Sequence, residues 1–295
     1  MKLGFLTACL PERDLTDIAR WAAQTGFEAL EVAGWPSPDD RNHIRVDRFD
    51  EAECHRVRRI FAETGLTLSS IAYYENNLHP REGAQVNAHV RACVDAAAAL
   101  GCPTVGTFVG RDPGLPVRDN LKLATDVLGP LVEYATARGV RIVIENCVMK
   151  SWHPDGYPGN LAYSPELWEW MFTLGLKLNY DPSHLIPLGI DPVAALRPYV
   201  ANVAHVQAKD TEILPGAIDR YGCYGPISGE KGWYRFRVPG LGQVDWVRVI
   251  DALHEAGYDG TVSVEHEDPV WSGSTDRVQT GLGIAYRTLR PMIPG

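Results

Sequence analysis

The chain has 295 residues, 45% hydrophobic and 22% charged, a balance that excludes a mainly disordered state and suits a packed fold. Its net charge of −9 argues against nucleic acid or an anionic membrane as partner, because phosphate binding needs a basic face, and leaves small molecules as the expected ligands. No apolar run approaches the roughly 18 residues of a membrane helix, and the six cysteines form no Cys-x-x-Cys pair, so free thiols in a reducing cytoplasm are expected.

The first half alternates strand-like and helix-like segments. Residues 2–8 read as a strand, with no signal-peptide core among them, and 15–25 as a helix with Leu15, Ile18, Ala19 and Ala22 at helical spacing. Gly26 closes that helix. A strand over 29–33, a helix over 50–64 stopped by Gly65, and a strand over 66–74 follow. A helix over 85–100 stopped by Gly101, a strand over 104–109 and a helix over 120–138 stopped by Gly139 lead into a fifth strand ending at Glu145.

Three further strand-like runs close on Asp181, Gln207 and Glu265, with helices expected at 165–174, 192–199, 246–256 and 275–289. Eight alternating units imply a parallel sheet closed into a barrel: an α/β, (β/α)8 TIM barrel forming one domain over 1–295. Two connections are long. That over 210–244, rich in Gly, Pro, Tyr and Trp, is expected to be a lid or a contact to a second copy or partner subunit. That over 149–163, with Trp152, His153 and Tyr157, is a second candidate wall.

Side chains along a strand alternate between two faces. Ile142 and Ile144 face away from Glu145, and Val262 and Val264 away from Glu265. His205, Gln207 and Lys209 share one face, opposite Ala204, Val206 and Ala208; Asp181 falls with Asn179 and Lys177. The acids therefore point inward near the C-terminal strand ends, where barrels of this type carry their chemistry. A buried acid at a strand end can also serve only as a structural pair, but four polar residues at matching positions argue for a shared site.

Three carboxylates and one amide offer hard oxygen donors, for which one Mg²⁺ or Mn²⁺ ion is the natural occupant. Such an ion would leave positions for adjacent hydroxyl and carbonyl oxygens of a carbohydrate. It would acidify the C–H bond beside the carbonyl, so that proton transfer proceeds through a metal-stabilised enediolate.

The motifs Ile144-Glu145-Asn146, Asn179-Tyr-Asp-Pro-Ser-His184, His205-Val-Gln-Ala-Lys-Asp210, Pro239-Gly-Leu-Gly-Gln-Val-Asp-Trp246 and Ser263-Val-Glu-His-Glu-Asp268, taken in this order, resemble the xylose isomerase-like TIM-barrel superfamily of sugar isomerases and epimerases. The resemblance covers nearly the whole chain. It implies a metal held by Glu145, Asp181, Gln207 and Glu265, with Glu145 and Glu265 as the acid/base pair and His184 binding a substrate oxygen. Many relatives carry a second histidine where Gln207 stands. Parity leaves His205 and Gln207 open as the fourth ligand; Gln207 is preferred because it lies nearer the mouth and because glutamine occurs there in some isomerases of the family. His205 and Lys209 are then expected near substrate, Lys209 being free to bind an oxyanion or to pair with Asp210 or another acid.

Isomerisation or epimerisation of a sugar or keto-sugar is the expected reaction. The alternatives are a dehydratase or β-eliminase on inosose-like or 3-keto-glycoside substrates, and a non-catalytic sugar-binding subunit. Trp35, Tyr73, Tyr74, Asn76 and His79 are candidates for the pocket wall, the tyrosines more for packing; His266 is expected outward or at the rim.

Overall fold

A computed structural model describes residues 1–149, 158–223, 225–226 and 232–293. In chain order its strands are β1 (Lys2–Leu6), β2 (Ala29–Ala33), β3 (Thr67–Ala72), β4 (Thr104–Thr107), β5 (Arg141–Glu145), β6 (Lys177–Tyr180) and β7 (Val203–Ala208). A two-stranded antiparallel hairpin follows, β8 (Asp210–Ile213) with β9 (Tyr234–Arg237), and then β10 (Thr261–Val264). Strands β1 to β7 and β10 form a closed parallel ring in which β1 pairs with both β2 and β10.

The helices α1 (Leu15–Thr25), α2 (Glu51–Thr64), α3 (Gly83–Leu100), α4 (Val117–Thr136), α5 (Pro165–Thr173), α6 (Pro192–Leu196), α7 (Pro215–Tyr221), α8 (Trp246–Glu255) and α9 (Thr275–Leu289) follow the same order, all but α7 linking one barrel strand to the next or closing the chain. Local chemistry sets their ends. Asp14, Asp50, Asp191 and Asp245 each accept a backbone N–H in the first turn of α1, α2, α6 and α8. Gly26 and Gly65 close α1 and α2 with φ of 99° and 70°, a region that side chains with a Cβ avoid. The helix expected over 192–199 is α-helical only to Leu196; with Pro198 present, which has no N–H to donate, the chain continues as a 3-10 turn over Arg197–Asn202.

The apolar core lies between strands and helices. Ile142, Ile144, Val206, Val262 and Val264 are at most 3% exposed, as their parity requires, and each contributes about 1.5–3 kcal/mol by burial. No helix among the described residues is long and apolar enough to cross a membrane.

The segment expected as a loop over 210–244 instead carries β8, α7 and β9. Tyr234-Arg-Phe-Arg237 alternates in strand fashion and pairs with 210–213, and Glu212 on β8 bridges Arg235 at 2.6 Å and Arg237 at 2.5 Å on β9. Arg237 also donates to buried Asp268 beyond β10 at 2.8 Å, which fastens the hairpin to the barrel mouth. The candidate wall residues Trp152, His153 and Tyr157 lie outside the described residues.

Candidate metal centre

Three acids reach the mouth from strand ends that the barrel brings side by side. Glu145 ends β5 and is 2% exposed; its Oε1 lies 2.9 Å from His184 Nε2. Asp181 follows β6, and the amide of Asn146 holds its backbone on both sides, accepting from its N–H at 2.7 Å and donating to its carbonyl at 2.8 Å. Asp181 Oδ1 accepts the Ser183 N–H at 2.8 Å, while buried Oδ2 faces the Lys209 ammonium at 3.3 Å and His184 Nε2 at 3.4 Å. Glu265 follows β10. Single ligand atoms of Glu145, Asp181, His184 and Glu265 all lie within 4.8 Å of one another.

Lys209, 1% exposed, extends into this cluster. Its Nζ is 2.5 Å from Glu265, 3.0 Å from Glu267, 3.3 Å from Asp181 and 3.9 Å from Glu145, and it lies 4.6 Å from the centre of the Phe236 ring. Burial disfavours its charge, but the surrounding acids outweigh burial and hold the ammonium well above the usual lysine range. Burial also drives the acids toward their neutral forms: Glu145 is pushed up to about 8, and Glu265 and Asp181 upward, with Lys209 opposing the rise in each. Burial, then Lys209, pushes His184 down to about 4, so its ring is neutral at physiological pH. The pairing of Lys209 with Asp210 considered from sequence does not form. Asp210 turns to the backbone N–H groups of Thr211, Gly240 and Val244 and to Trp246 Nε1, at 2.8–3.2 Å.

Gln207 and His205 belong to a buried polar shelf, one and two inward-facing positions before Lys209 along the β7 run. Gln207 Nε2 donates to both oxygens of Glu31 on β2, at 3.2 and 3.3 Å, and to Tyr74 Oη at 3.1 Å. Tyr74 donates to Glu31 at 2.5 Å and accepts from Asn179 Nδ2 at 2.7 Å. His205 Nδ1 lies 3.0 Å from Asn179 Oδ1 and its Nε2 3.2 Å from Ser69 Oγ, so both ring nitrogens are engaged. Gln207 Oε1 is buried without a partner.

The structure thus brings Glu145, Asp181, Glu265, His184 and Lys209 into one cluster, and sets Gln207 and His205 on the shelf. Sequence reasoning missed Glu31, Glu267 and Phe236. Glu267 shares the inward parity of Glu265 two residues on, a signal available in the sequence. Glu31 stands at the centre of a strand whose neighbours are all apolar, an equally readable sign.

A cavity of about 440 Å³ opens above the cluster, with Trp35, Tyr74, Phe108, Tyr234 and Phe236 among its walls and Glu145, His184, Lys209, Glu265 and Glu267 among its polar lining. Trp35 is held by Glu75 at 3.0 Å, and Phe236 meets His184 edge-on at 5.0 Å. Tyr73 packs on Trp35 and His89 rather than facing the cavity, and Asn76 donates to the Arg111 carbonyl at 2.8 Å. His266 is buried against α9; a Cβ at Gly281 would lie 2.4 Å from its Nε2.

A divalent ion fits this donor set. Buried acids converge with a neutral imidazole, their ligand atoms within 4.8 Å of one another, and Gln207 Oε1 is buried with no hydrogen-bond partner.

The chain belongs to the xylose isomerase-like TIM barrel family, whose model matches residues 19–287. It is 27% identical to the uncharacterized protein YfiH of Bacillus subtilis (strain 168), over 91% of this chain and 93% of that protein. It is 32% identical to an inosose dehydratase of Lacticaseibacillus casei over 32% of each chain. A solved structure of IOLI protein with a binding zinc atom superposes with a TM-score of 0.75 at 19% identity, covering 100% of both chains. Solved barrels of the same fold also include D-psicose 3-epimerase of Clostridium cellulolyticum H10 (TM-score 0.68, 16% identity, 98% of this chain and 99% of that one). A sugar epimerase is thus among the barrels of like fold, and an inosose dehydratase among the proteins similar in sequence.

Proposed function

We propose that this chain is a divalent-metal-dependent isomerase or epimerase of a sugar or keto-sugar, working by proton transfer beside a carbonyl. The observation that carries the reading is the convergence of Glu145 and Glu265, both pushed toward neutrality by burial, beneath a cavity large enough for a small carbohydrate. Glu145, Asp181, Gln207 and Glu265 would hold Mn²⁺ or Mg²⁺, which when bound polarises the substrate carbonyl and acidifies the adjacent C–H.

Around that bond the chain's own groups divide the work. One glutamate takes the proton and the other returns it at the neighbouring carbon or on the opposite face; burial, by favouring the protonated form of each carboxyl, suits them to exchanging that proton. His184, neutral and hydrogen-bonded to Glu145, offers an imidazole to a substrate hydroxyl. Lys209 balances the charge of the acids. The ring faces of Trp35 and Phe236 exclude water and give the sugar's apolar face a surface. The expected partner is a small carbohydrate, with neither nucleic acid nor membrane; the hairpin segment 210–244 is the surface on which a second copy or partner subunit would sit.

Incubation of the Mn²⁺-loaded protein with keto-sugars in D₂O tests the reading. Isomerised product carrying deuterium at the carbon beside the carbonyl is expected, and absence of exchange with every keto-sugar tried would overturn it. The similarity to an inosose dehydratase favours one second reading, elimination of water from an inosose-like substrate. Release of water without isomerisation in the same assay identifies it.

A further inference from the structure

We infer that Glu31 fixes the orientation of the Gln207 amide and thereby makes residue 207 an oxygen donor to the metal; Glu31 is a positioning residue for the centre, although it lies three strands away around the ring and 176 residues away in sequence. The inference rests on the reading above in which Gln207 is a ligand.

An amide can present either its oxygen or its NH₂ group, and only the oxygen binds a hard cation. Three contacts decide which end faces the shelf. Both Glu31 oxygens and Tyr74 Oη lie 3.1–3.3 Å from Gln207 Nε2. Glu31 accepts the single Tyr74 proton, which leaves the phenol's lone pairs for Asn179 Nδ2 and Gln207. Turning the amide over would set its oxygen against three acceptors and leave two N–H bonds unmade. The NH₂ group therefore faces Glu31 and the oxygen faces away.

Along the shelf, Asn179 Oδ1 meets His205 Nδ1, and His205 Nε2 meets Ser69. Gln207 Oε1 is buried with no partner, as is the hydroxyl of Ser263, in register with it on β10. A fully buried amide oxygen left open in a connected network is what a ligand position requires. Engagement of both His205 nitrogens in the same network also leaves Gln207, and not His205, to supply the ligand from β7.

The test is Mn²⁺ affinity measured by electron paramagnetic resonance and titration calorimetry, with unfolding temperature in EDTA recorded for each protein. Glu31→Gln can donate as well as accept, so residue 207 loses its enforced orientation; Mn²⁺ affinity should fall by about 10–100-fold, the range for removing an outer partner of a metal ligand. The exchanged pair, Glu31→Gln with Gln207→Glu, keeps the hydrogen bond and the charge and gives residue 207 an oxygen at both ends. It should recover at least a tenth of wild-type affinity. Wild-type-like affinity in Glu31→Gln, or no recovery in the exchanged pair, overturns the inference while leaving metal dependence standing. If Glu31→Gln fails to fold, the exchanged pair against Gln207→Ala decides the point: affinity no better than that of Gln207→Ala overturns it. Failure of the wild-type protein itself to bind Mn²⁺ removes the metal reading and the inference with it.

Discussion

Replacing Lys209 by methionine removes the charge while keeping most of the side-chain volume. The ammonium is 2.5–3.9 Å from four carboxylates, three of them buried, and at an effective dielectric near 20 each contact at these distances is worth about 4–7 kcal/mol before desolvation. The measurable loss is smaller, because the acids left behind take up protons and burying the ammonium was itself unfavourable. Breaking a buried ion pair from one side typically costs about 3–5 kcal/mol, which for a chain of this length corresponds to a Tm lowered by about 5–8 °C. The assay is thermal unfolding in EDTA at pH 7, repeated with saturating Mn²⁺. Since the ammonium and a divalent ion compete for the same oxygens, Mn²⁺ should raise the Tm of Lys209→Met more than that of wild type and bind it more tightly. A variant that unfolds within 1 °C of wild type in EDTA, with unchanged Mn²⁺ affinity, would show that Lys209 is not the counter-ion of the cluster.

Three further outcomes follow from named contacts. Asn146→Ala loses both hydrogen bonds that hold the Asp181 backbone and should destabilise the protein by about 1–3 kcal/mol while weakening Mn²⁺ binding; chemical denaturation and calorimetry check the two effects. Gly106→Ala places a Cβ 2.3 Å from Tyr74 Oη, so the phenol must leave Glu31; an overpacking loss of about 1–3 kcal/mol and weaker Mn²⁺ binding are expected, and unchanged values would mean Tyr74 is not part of the support. Burial opposes the charge of Glu53, but hydrogen bonds from Arg56 and Arg45 outweigh it and hold the carboxyl at about 2, below its unfolded value of 4.5. Its stabilisation is therefore complete above pH 4.5 and lost as pH falls toward 2, so the Tm gap between wild type and Glu53→Gln should close over that interval, and a gap independent of pH would contradict the assignment.

The barrel was readable because its signals are local and repeat. Helix stops at Gly26, Gly65 and Gly101 and strand parity around Glu145 and Glu265 depend on neighbours a few residues apart, and the structure reproduces them. What escaped depends on contacts across the ring. Nothing near Ala29-Leu-Glu-Val-Ala33 tells that Glu31 meets Tyr74 and Gln207, 43 and 176 residues away. Parity set Lys209 on the inward face but left its partner undecided, because direction along a strand does not say which neighbouring acid lies within reach. The hairpin was hidden for a different reason. Its two four-residue strands are separated by a stretch rich in glycine and aromatics, and Tyr234-Arg-Phe-Arg237 alternates over too few residues to stand out from that background.

The pairing of β1 with β10 has a consequence for the chain as it is made. The ring has no continuous hydrogen-bonded circuit until residues 261–264 are available, and before then β1 and β7 present bare strand edges of the kind that recruit other chains. The shelf needs the same event, since Glu31 precedes Gln207 by 176 residues and the two meet only when the ends of the sheet do. On the proposed reading, capacity to bind an ion is acquired in one step, once residues 261–265 are in place. Arrested or truncated nascent chains should be aggregation-prone and without measurable Mn²⁺ affinity, in contrast to repeat architectures that gain function by increments.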